Sequence, residues 1–190
     1  MLDSLSVQEG EKIVAVSLES ERVFLREWLS GDLTPWISLN LDPENLRHFP
    51  RIYSAEESQA SFLRIRDRLD ASPYGLWAAE EKSSGDFMGF VGIANQDIPD
   101  VAFMPCQEIG WRLDKKYWGK GYATEAAKVV LTFGLSEVGL KEIFSFAARS
   151  NAPSINVMRK IGLLERPELA FEHPNIEEGN RAKSHVVYST

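Results

Sequence analysis

The stretch Glu108–Ala126, EIGWRLDKKYWGKGYATEA, decides the fold. It begins with a short apolar run, Glu108–Leu113, which predicts a buried strand. After a polar turn, apolar residues recur with helical spacing over Ala123–Val138. Gly119 and Gly121 therefore lie between a strand and the first turn of a helix.

Two glycines at a helix start predict an anion site. The first N–H groups of a helix have no partner within the helix, and the helix dipole is positive there. Glycine lets the backbone come close to a ligand, so the junction is suited to phosphate. Lys115, Lys116 and Lys120 add positive charge. For the two glycines alone, a tight strand-to-helix turn with solvated lysines is the preferred explanation.

Two better-known phosphate loops do not fit this junction. The P-loop requires G-x-x-x-x-G-K-[ST], which the chain does not contain. The dinucleotide fingerprint G-x-G-x-x-G would place its third small residue at Thr124 and needs an acidic residue after the next strand. Here the next predicted strand, Ile143–Ala148, is followed by Arg149, Ser150 and Asn151.

A second strand-to-helix junction makes the pattern specific. Asn151 is suited to cap a helix and Pro153 to lie in its first turn, and Gly162 is suited to end it. The segment has the form Asn-x-x-Ser-x-x-Val-x-x-Lys-x-Gly-Leu over residues 151–163.

Together the two junctions resemble the GCN5-related N-acetyltransferase (GNAT) superfamily. The EIGW strand and the YWGKGYATEA loop are similar to the branch of ribosomal-protein N-terminal acetyltransferases of the RimJ/RimL type. The resemblance covers roughly Ser20 to the C-terminus, with motif detail only in the middle segment.

The resemblance implies a mixed α/β (α+β) GNAT fold. We expect a mostly antiparallel sheet of six to seven strands with helices on both faces, consistent with the predicted element order β-α-α-β-β-β-α-β-α-β-β. The fourth and fifth strands are expected to splay apart into a V-shaped slot. We assign residues 20–190 to a single domain and residues 1–19 to an N-terminal extension, either a mobile tail or an extra edge strand.

The family's binding of acetyl-CoA is carried over residue by residue. Lys116 takes the basic position, the glycine loop donates backbone amides to the diphosphate, and Asn151 contacts the pantetheine arm or only caps its helix. The predicted cofactor-binding residues are Trp111, Arg112, Leu113, Lys116, Trp118, Gly119, Lys120, Gly121, Tyr122, Ala123, Thr124, Asn151 and Ser154.

Glu108 and Ser154 are the predicted catalytic residues. Many superfamily members carry a tyrosine seven residues after the asparagine, but this chain has Met158, which cannot donate a proton. The branch offers a serine instead, here Ser154. Glu108 precedes the strand that lines the slot and is either the general base or an ordinary strand glutamate. Cys106 is interpreted as a packed thiol.

The amino-acid composition argues against several classes of binding partner. The 190 residues carry a net charge of −7, which argues against non-specific binding to nucleic acid or an anionic membrane. One cysteine excludes an internal disulfide, and no signal peptide or membrane span is visible, so a cytoplasmic location is expected. The histidines and cysteine have no metal-ligand spacing, so no metal is predicted.

The expected activity is acetyl-CoA-dependent N-acetylation of a primary amine, on a protein N-terminus or a small molecule. The alternative is a non-catalytic acyl-CoA sensor or docking module, which the lack of tyrosine at Met158 favours. The protein is expected to be a monomer or a homodimer. The resemblance also implies that the acceptor pocket is walled by some of Trp36, His48, Phe49 and Tyr53.

Overall fold

The chain folds around one twisted sheet, described here from a computed structural model over residues 16–190. The sheet has nine strands in the order β1-β2-β3-β4-β5-β6-β9-β7, and β8 also pairs with β9. The strands are β1 Leu18–Glu19, β2 Val23–Arg26, β3 Leu76–Glu81, β4 Phe87–Gln96, β5 Cys106–Leu113, β6 Phe144–Ala148, β7 Leu164–Glu165, β8 Phe171–Glu172 and β9 Ser184–Ser189. Every pairing is antiparallel except that of β5 with β6.

Four α-helices cover the two faces of this sheet. They are α1 Leu33–Leu41, α2 Ala55–Asp70, α3 Tyr122–Ser136 and α4 Ala152–Lys160. The predicted fold class is confirmed: six strands have four or more residues, and three have two residues each.

Helix α3 packs against β4 and β5 on one face. Ala126, Ala127 and Val130 are fully buried there, and Gly134 allows the closest approach. A Cβ on Gly134 would lie 2.5 Å from Ile93 Cδ1. Small residues therefore set the distance between helix and sheet.

Helices α1 and α2 cover the other face through an aromatic cluster. Trp28 makes edge contacts with Trp36 and Phe62, each with ring centroids 5.5 Å apart, and Trp36 reaches Phe90 of β4 at 5.9 Å. Ser54 begins α2 with a capping box, in which its side chain accepts a hydrogen bond from the amide of Glu57. These contacts fix α1 and α2 over one face of the sheet at β4.

Two local expectations from the sequence are revised. The run Asp42-Pro43-Glu44-Asn45 predicts a short helix running towards His48, but the structure has a series of turns there. The sequence also predicts a strand over 163–172, with Pro167 as a point of interruption, and the structure splits it by a 3-10 turn at Pro167–Leu169, because Pro167 donates no backbone hydrogen bond. The N-terminal extension falls mainly on residues 1–15, outside the described residues, while Leu18–Glu19 forms an edge strand.

Within residues 16–190, none of the helices has the length and apolar character that crossing a bilayer requires.

Candidate active site

The glycine loop enters α3 in a left-handed conformation. Gly119 has φ of 73° and Gly121 has φ of 87°, values that favour glycine. Gly121 is the N-cap residue of α3, and no side chain caps the helix. The predicted start of α3 is confirmed to within one residue, and its first turn is uncovered.

Six consecutive backbone amides at this junction are unpaired. Among the residues that the structure describes, nothing accepts a hydrogen bond from the N–H groups of Gly119–Thr124, and the first paired amide is that of Glu125, which donates to the Gly121 carbonyl at 3.0 Å. We call Gly119–Thr124 the cradle. Gly119, Lys120 and Gly121 are exposed, so the cradle fits an anionic group from solvent.

Positive side chains surround the cradle, and one of them was not predicted. Lys116 is exposed and lies 3.7 Å from Asp86, while Lys120 is exposed. Arg22 pairs with Glu125 at 2.6 Å and donates from Nη1 to the Lys120 carbonyl at 3.2 Å. Because Arg22 lies 98 residues before Lys120, no local pattern indicated this contact.

The slot beside β5 opens at Glu108. Within the described residues, β5 and β6 share one register pair, Glu108 with Phe144, and beyond it β5 stays paired to β4 only. The edge of β5 at Trp111 and Arg112 thus faces the gap and can pair with an extended ligand. The Leu113 carbonyl already accepts from the Trp118 indole at 2.7 Å, which uses one of its two lone pairs.

The side chains of Trp118 and Tyr122 contact neighbouring protein groups and do not enter the cradle. The Trp118 ring carries the guanidinium of Arg47 at 4.8 Å, and the buried Tyr122 side chain donates to Glu81. Tyr122 therefore offers a ligand its backbone amide, not its ring.

Asn151 and Ser154 lie across the slot at the start of α4. Asn151 Oδ1 accepts from the Ser154 amide at 3.2 Å, as predicted for a helix cap. Ser154 Oγ lies 3.2 Å from Trp111 Nε1. Since an indole N–H only donates, Ser154 accepts this bond and keeps its own O–H free to donate.

Glu108 lies at the apex of the slot, and its pKa is raised. Its Oε2 accepts from Gln96 Nε2 at 2.6 Å. Burial raises the pKa of Glu108 to about 7, and the Gln96 hydrogen bond opposes this rise. A carboxylate with such a pKa exchanges protons readily near neutral pH.

Neither Met158 nor Cys106 is placed to take part in catalysis. Met158 is buried in the core with 1% of its surface exposed, so this position presents nothing to a sulfur atom in the slot. Burial raises the pKa of the Cys106 thiol to about 12. A thiolate at Cys106 is therefore not available as a nucleophile.

The residues expected to wall the acceptor pocket gather around an unexpected group, the Arg112 side chain. Its guanidinium carbon lies 4.1 Å from the centroid of Phe49, 5.4 Å from Trp36 and 5.7 Å from Tyr53. His48 lies next to Arg47 instead, and its pKa is lowered, first by burial and then by neighbouring arginines. The sequence analysis predicted Arg112 as a cofactor-binding residue and assigned no role on the acceptor side to its side chain.

Comparison with known proteins agrees with this arrangement. The family described as Acetyltransferase (GNAT) domain matches residues 22–164. The uncharacterized N-acetyltransferase YnaD of Bacillus subtilis is 45% identical over 146 residues, which is 77% of this chain and 81% of YnaD. Uncharacterized protein YkkB of the same organism is 39% identical over 88 residues, so the match spans 46% of this chain and about half of YkkB.

A solved structure has the same fold. Mycobacterium smegmatis RimJ, in complex with CoA-disulfide, superposes with a TM-score of 0.71 at 18% identity, covering 92% of this chain and 87% of RimJ. The chain belongs to the GNAT acetyltransferase family and is an N-acetyltransferase.

Proposed function

We propose that the enzyme transfers the acetyl group of acetyl-CoA directly to a primary amine, on a protein N-terminus or a small molecule. The observation that carries the proposal is the cradle of six unpaired amides beside a slot whose apex holds Glu108. GNAT domains use acetyl-CoA, and its diphosphate is the anionic group that such a cradle fits.

The binding assignments follow from the same geometry. Amides of Gly119–Thr124 hold the diphosphate, and Lys116, Lys120 and Arg22 supply positive charge beside it. The free edge of β5 at Trp111 and Arg112 pairs with the pantetheine arm from one side of the slot. Asn151 and Ser154 face the same gap from α4, where a backbone or hydroxyl contact to the arm is within reach.

Glu108 and Ser154 take the two proton-handling roles. Glu108 accepts a proton from the acceptor ammonium, directly or through a water, because its pKa of about 7 leaves a carboxylate available at neutral pH. The freed amine attacks the thioester carbonyl, so that an N–C bond forms as the C–S bond breaks, and the proton that the amide nitrogen then loses passes to the thiolate, which leaves as free thiol. The Ser154 hydroxyl donates a hydrogen bond to the departing thiolate and stabilises it without being a full acid.

Two measurements test this function. Isothermal titration should show acetyl-CoA binding at micromolar concentration, and the absence of heat at high micromolar ligand rejects the cradle assignment. A panel of peptides with free N-termini, amino acids and small amines should release free thiol. Binding without thiol release from any acceptor would favour the non-catalytic sensor. The cytoplasmic location and the oligomeric state stay predictions from the sequence.

A further inference from the structure

One strip of β5 carries two functional side chains of opposite charge with open space between them. Side chains two residues apart point to the same face of a strand, so Glu108, Gly110 and Arg112 share the face covered by α1 and α2. A Cβ built on Gly110 would meet only Glu108 Oε1, at 3.9 Å. We call the face formed by these three residues the acceptor strip.

The Arg112 guanidinium lacks a countercharge. Within residues 16–190 it forms no ion pair, and its side-chain hydrogen bond goes to the neutral Asn40 Oδ1, at 2.7 Å from Nη1. Its Nε is fully buried and has no acceptor. Burial lowers the pKa of Arg112 and the neighbouring Tyr53 opposes this decrease, whereas no carboxylate contributes to the shift. An arginine stays protonated even so, which leaves a partly buried positive charge without a carboxylate partner within the described residues.

The nitrogen atoms of this guanidinium differ in their hydrogen bonding. Nη1 is used by Asn40, whereas Nε is unpaired and Nη2 forms no hydrogen bond within the described part of the chain. Because Nε has no accessible surface, Nη2 is the donor that a carboxylate oxygen can reach. The faces of the guanidinium are occupied by Phe49 and the neighbouring rings, so a ligand is directed to Nη2.

Arginines lie near Phe49, although the whole chain has a net charge of −7, and two of them are paired: Arg47 with Glu44 and Arg51 with Glu57. A surface cavity of about 460 Å³ is lined by Phe49, which also contacts Arg112, and by Arg51 and Arg181. Arg47 and Arg181 both lower the pKa of His48. Of the arginines named here, Arg181 forms no ion pair within residues 16–190, so it can attract an anion.

We infer that the acceptor carries a carboxylate as well as its amine, and that Arg112 binds this carboxylate while Glu108 receives the proton of the amine. The inference rests on the proposed function and adds the class of substrate. Glu108 and Arg112 are four positions apart on an extended strand, so their Cα atoms are separated by about 13 Å. This separation suits a short peptide or an ω-amino acid, in which the amine and the carboxylate lie at opposite ends.

Matched acceptors test the charge. Glycine, 4-aminobutanoate, 6-aminohexanoate and glycylglycine are compared with their carboxamides by thiol release, since each amide keeps the skeleton and removes the charge. For the best acceptor we expect kcat/KM to exceed that of its amide by at least about tenfold, which is typical of a hydrogen-bonded charge pair. Equal or better use of the amides overturns the inference but leaves the proposed function standing.

Substitution of Arg112 tests the residue. Arg112→Gln should bring the carboxylate-to-amide ratio close to one, and Arg112→Lys should keep part of it. The control is Arg68→Gln, which removes an exposed positive charge at the end of α2 and should leave the ratio unchanged. A purely structural role for Arg112 lowers both rates together and keeps the ratio, and that result also overturns the inference.

A binding measurement covers the case of no turnover. With coenzyme A present, millimolar 6-aminohexanoate and glycylglycine should raise the Tm of the wild type but not of Arg112→Gln, and their amides should raise neither. If neither acid stabilises the wild type and no acid is preferred as acceptor, the inference is wrong. Absence of thiol release from every amine, charged or neutral, counts against the proposed function instead.

Discussion

The cradle follows the C-terminal end of β5, whereas the acceptor strip lies on one face of this strand. The two regions are built in different ways. The cradle consists of backbone amides from consecutive residues, Gly119–Thr124, left unpaired by a left-handed turn into α3. The strip consists of side chains whose properties come from distant elements: Gln96 from β4, Asn40 from α1 and Phe49 from the following turns. Binding at the cradle therefore depends on local backbone shape, and chemistry at the strip depends on tertiary neighbours.

The largest effect is expected from a change in the cradle, Gly121→Glu. It places a carboxylate where the diphosphate binds and strains a residue with φ of 87°. We expect the Kd for acetyl-CoA, measured by titration calorimetry, to rise by at least about 100-fold, equivalent to about 3 kcal/mol.

Gly139→Glu is the matched control for this change. Gly139 is exposed after α3, has φ of 76° and has no atom near its Cβ position. It should lose a similar amount of stability and keep its affinity for acetyl-CoA. Equal losses of affinity in both variants would mean that backbone strain, not the cradle, explains the result.

This contrast also explains what the sequence could predict. The turn into α3 and the cap at Asn151 depend on residues within a few positions of each other, so glycine spacing and cap chemistry predicted both. The strand β5 was likewise visible as an apolar run. The resemblance supplied the slot between β5 and β6, which are the fourth and fifth strands when the two-residue β1 is not counted; no local pattern indicates this slot.

The acceptor side could not be predicted because its contacts are long-range. Arg112 reads in the sequence as one more polar residue on a strand, and it becomes an unneutralised charge only when Asn40, Phe49 and Tyr53 pack around it. The turns after α1 were predicted as a helix because a Pro at the first position and an acidic second residue are typical of a helix start. The pKa of Glu108 depends on burial, which the sequence does not state.

The next effect belongs to the strip and depends on pH. Glu108→Gln keeps the hydrogen-bonding shape but removes the base, so kcat/KM at neutral pH should fall by roughly 100-fold while the Kd for acetyl-CoA stays the same. Burial raises the pKa of Glu108 to about 7. The wild-type rate should therefore be low below pH 6, where Glu108 is protonated, and rise to a plateau above pH 8.

The variant should lack this rise, and the exposed Glu137→Gln should retain it. A pH–rate profile that Glu108→Gln leaves unchanged would remove Glu108 from the mechanism and leave the cradle assignment intact.

A smaller loss is expected at the slot, where the two regions meet. Ser154→Ala removes a hydrogen bond to the departing thiolate, so kcat should fall about tenfold, in line with one hydrogen bond to a charged group. Trp111→Phe removes the donor that orients Ser154 and should cost only about threefold in kcat. Ser150→Ala, an exposed serine at the same junction, is the control, and an equal loss there would indicate a disturbed α4.

The smallest effect concerns the link between the cradle and the acceptor side. The buried Asn45 accepts a hydrogen bond from the Lys115 amide at 2.7 Å, and Lys115 also pairs with Asp42. The turns that carry Phe49 are thus fastened to the loop that leads into the cradle. Asn45→Ala should lower Tm by about 2–4 °C, as expected for a loss of about 1 kcal/mol in a chain of this size.

Asn45→Ala should also raise the acceptor KM a few-fold without changing the Kd for acetyl-CoA, because the amides of Gly119–Thr124 keep their own geometry. The exposed Asn156→Ala on α4 should change neither quantity. A higher Kd for acetyl-CoA with an unchanged acceptor KM would contradict this prediction. It would mean that the hydrogen bond between Asn45 and Lys115 stabilises the cradle and not the acceptor strip.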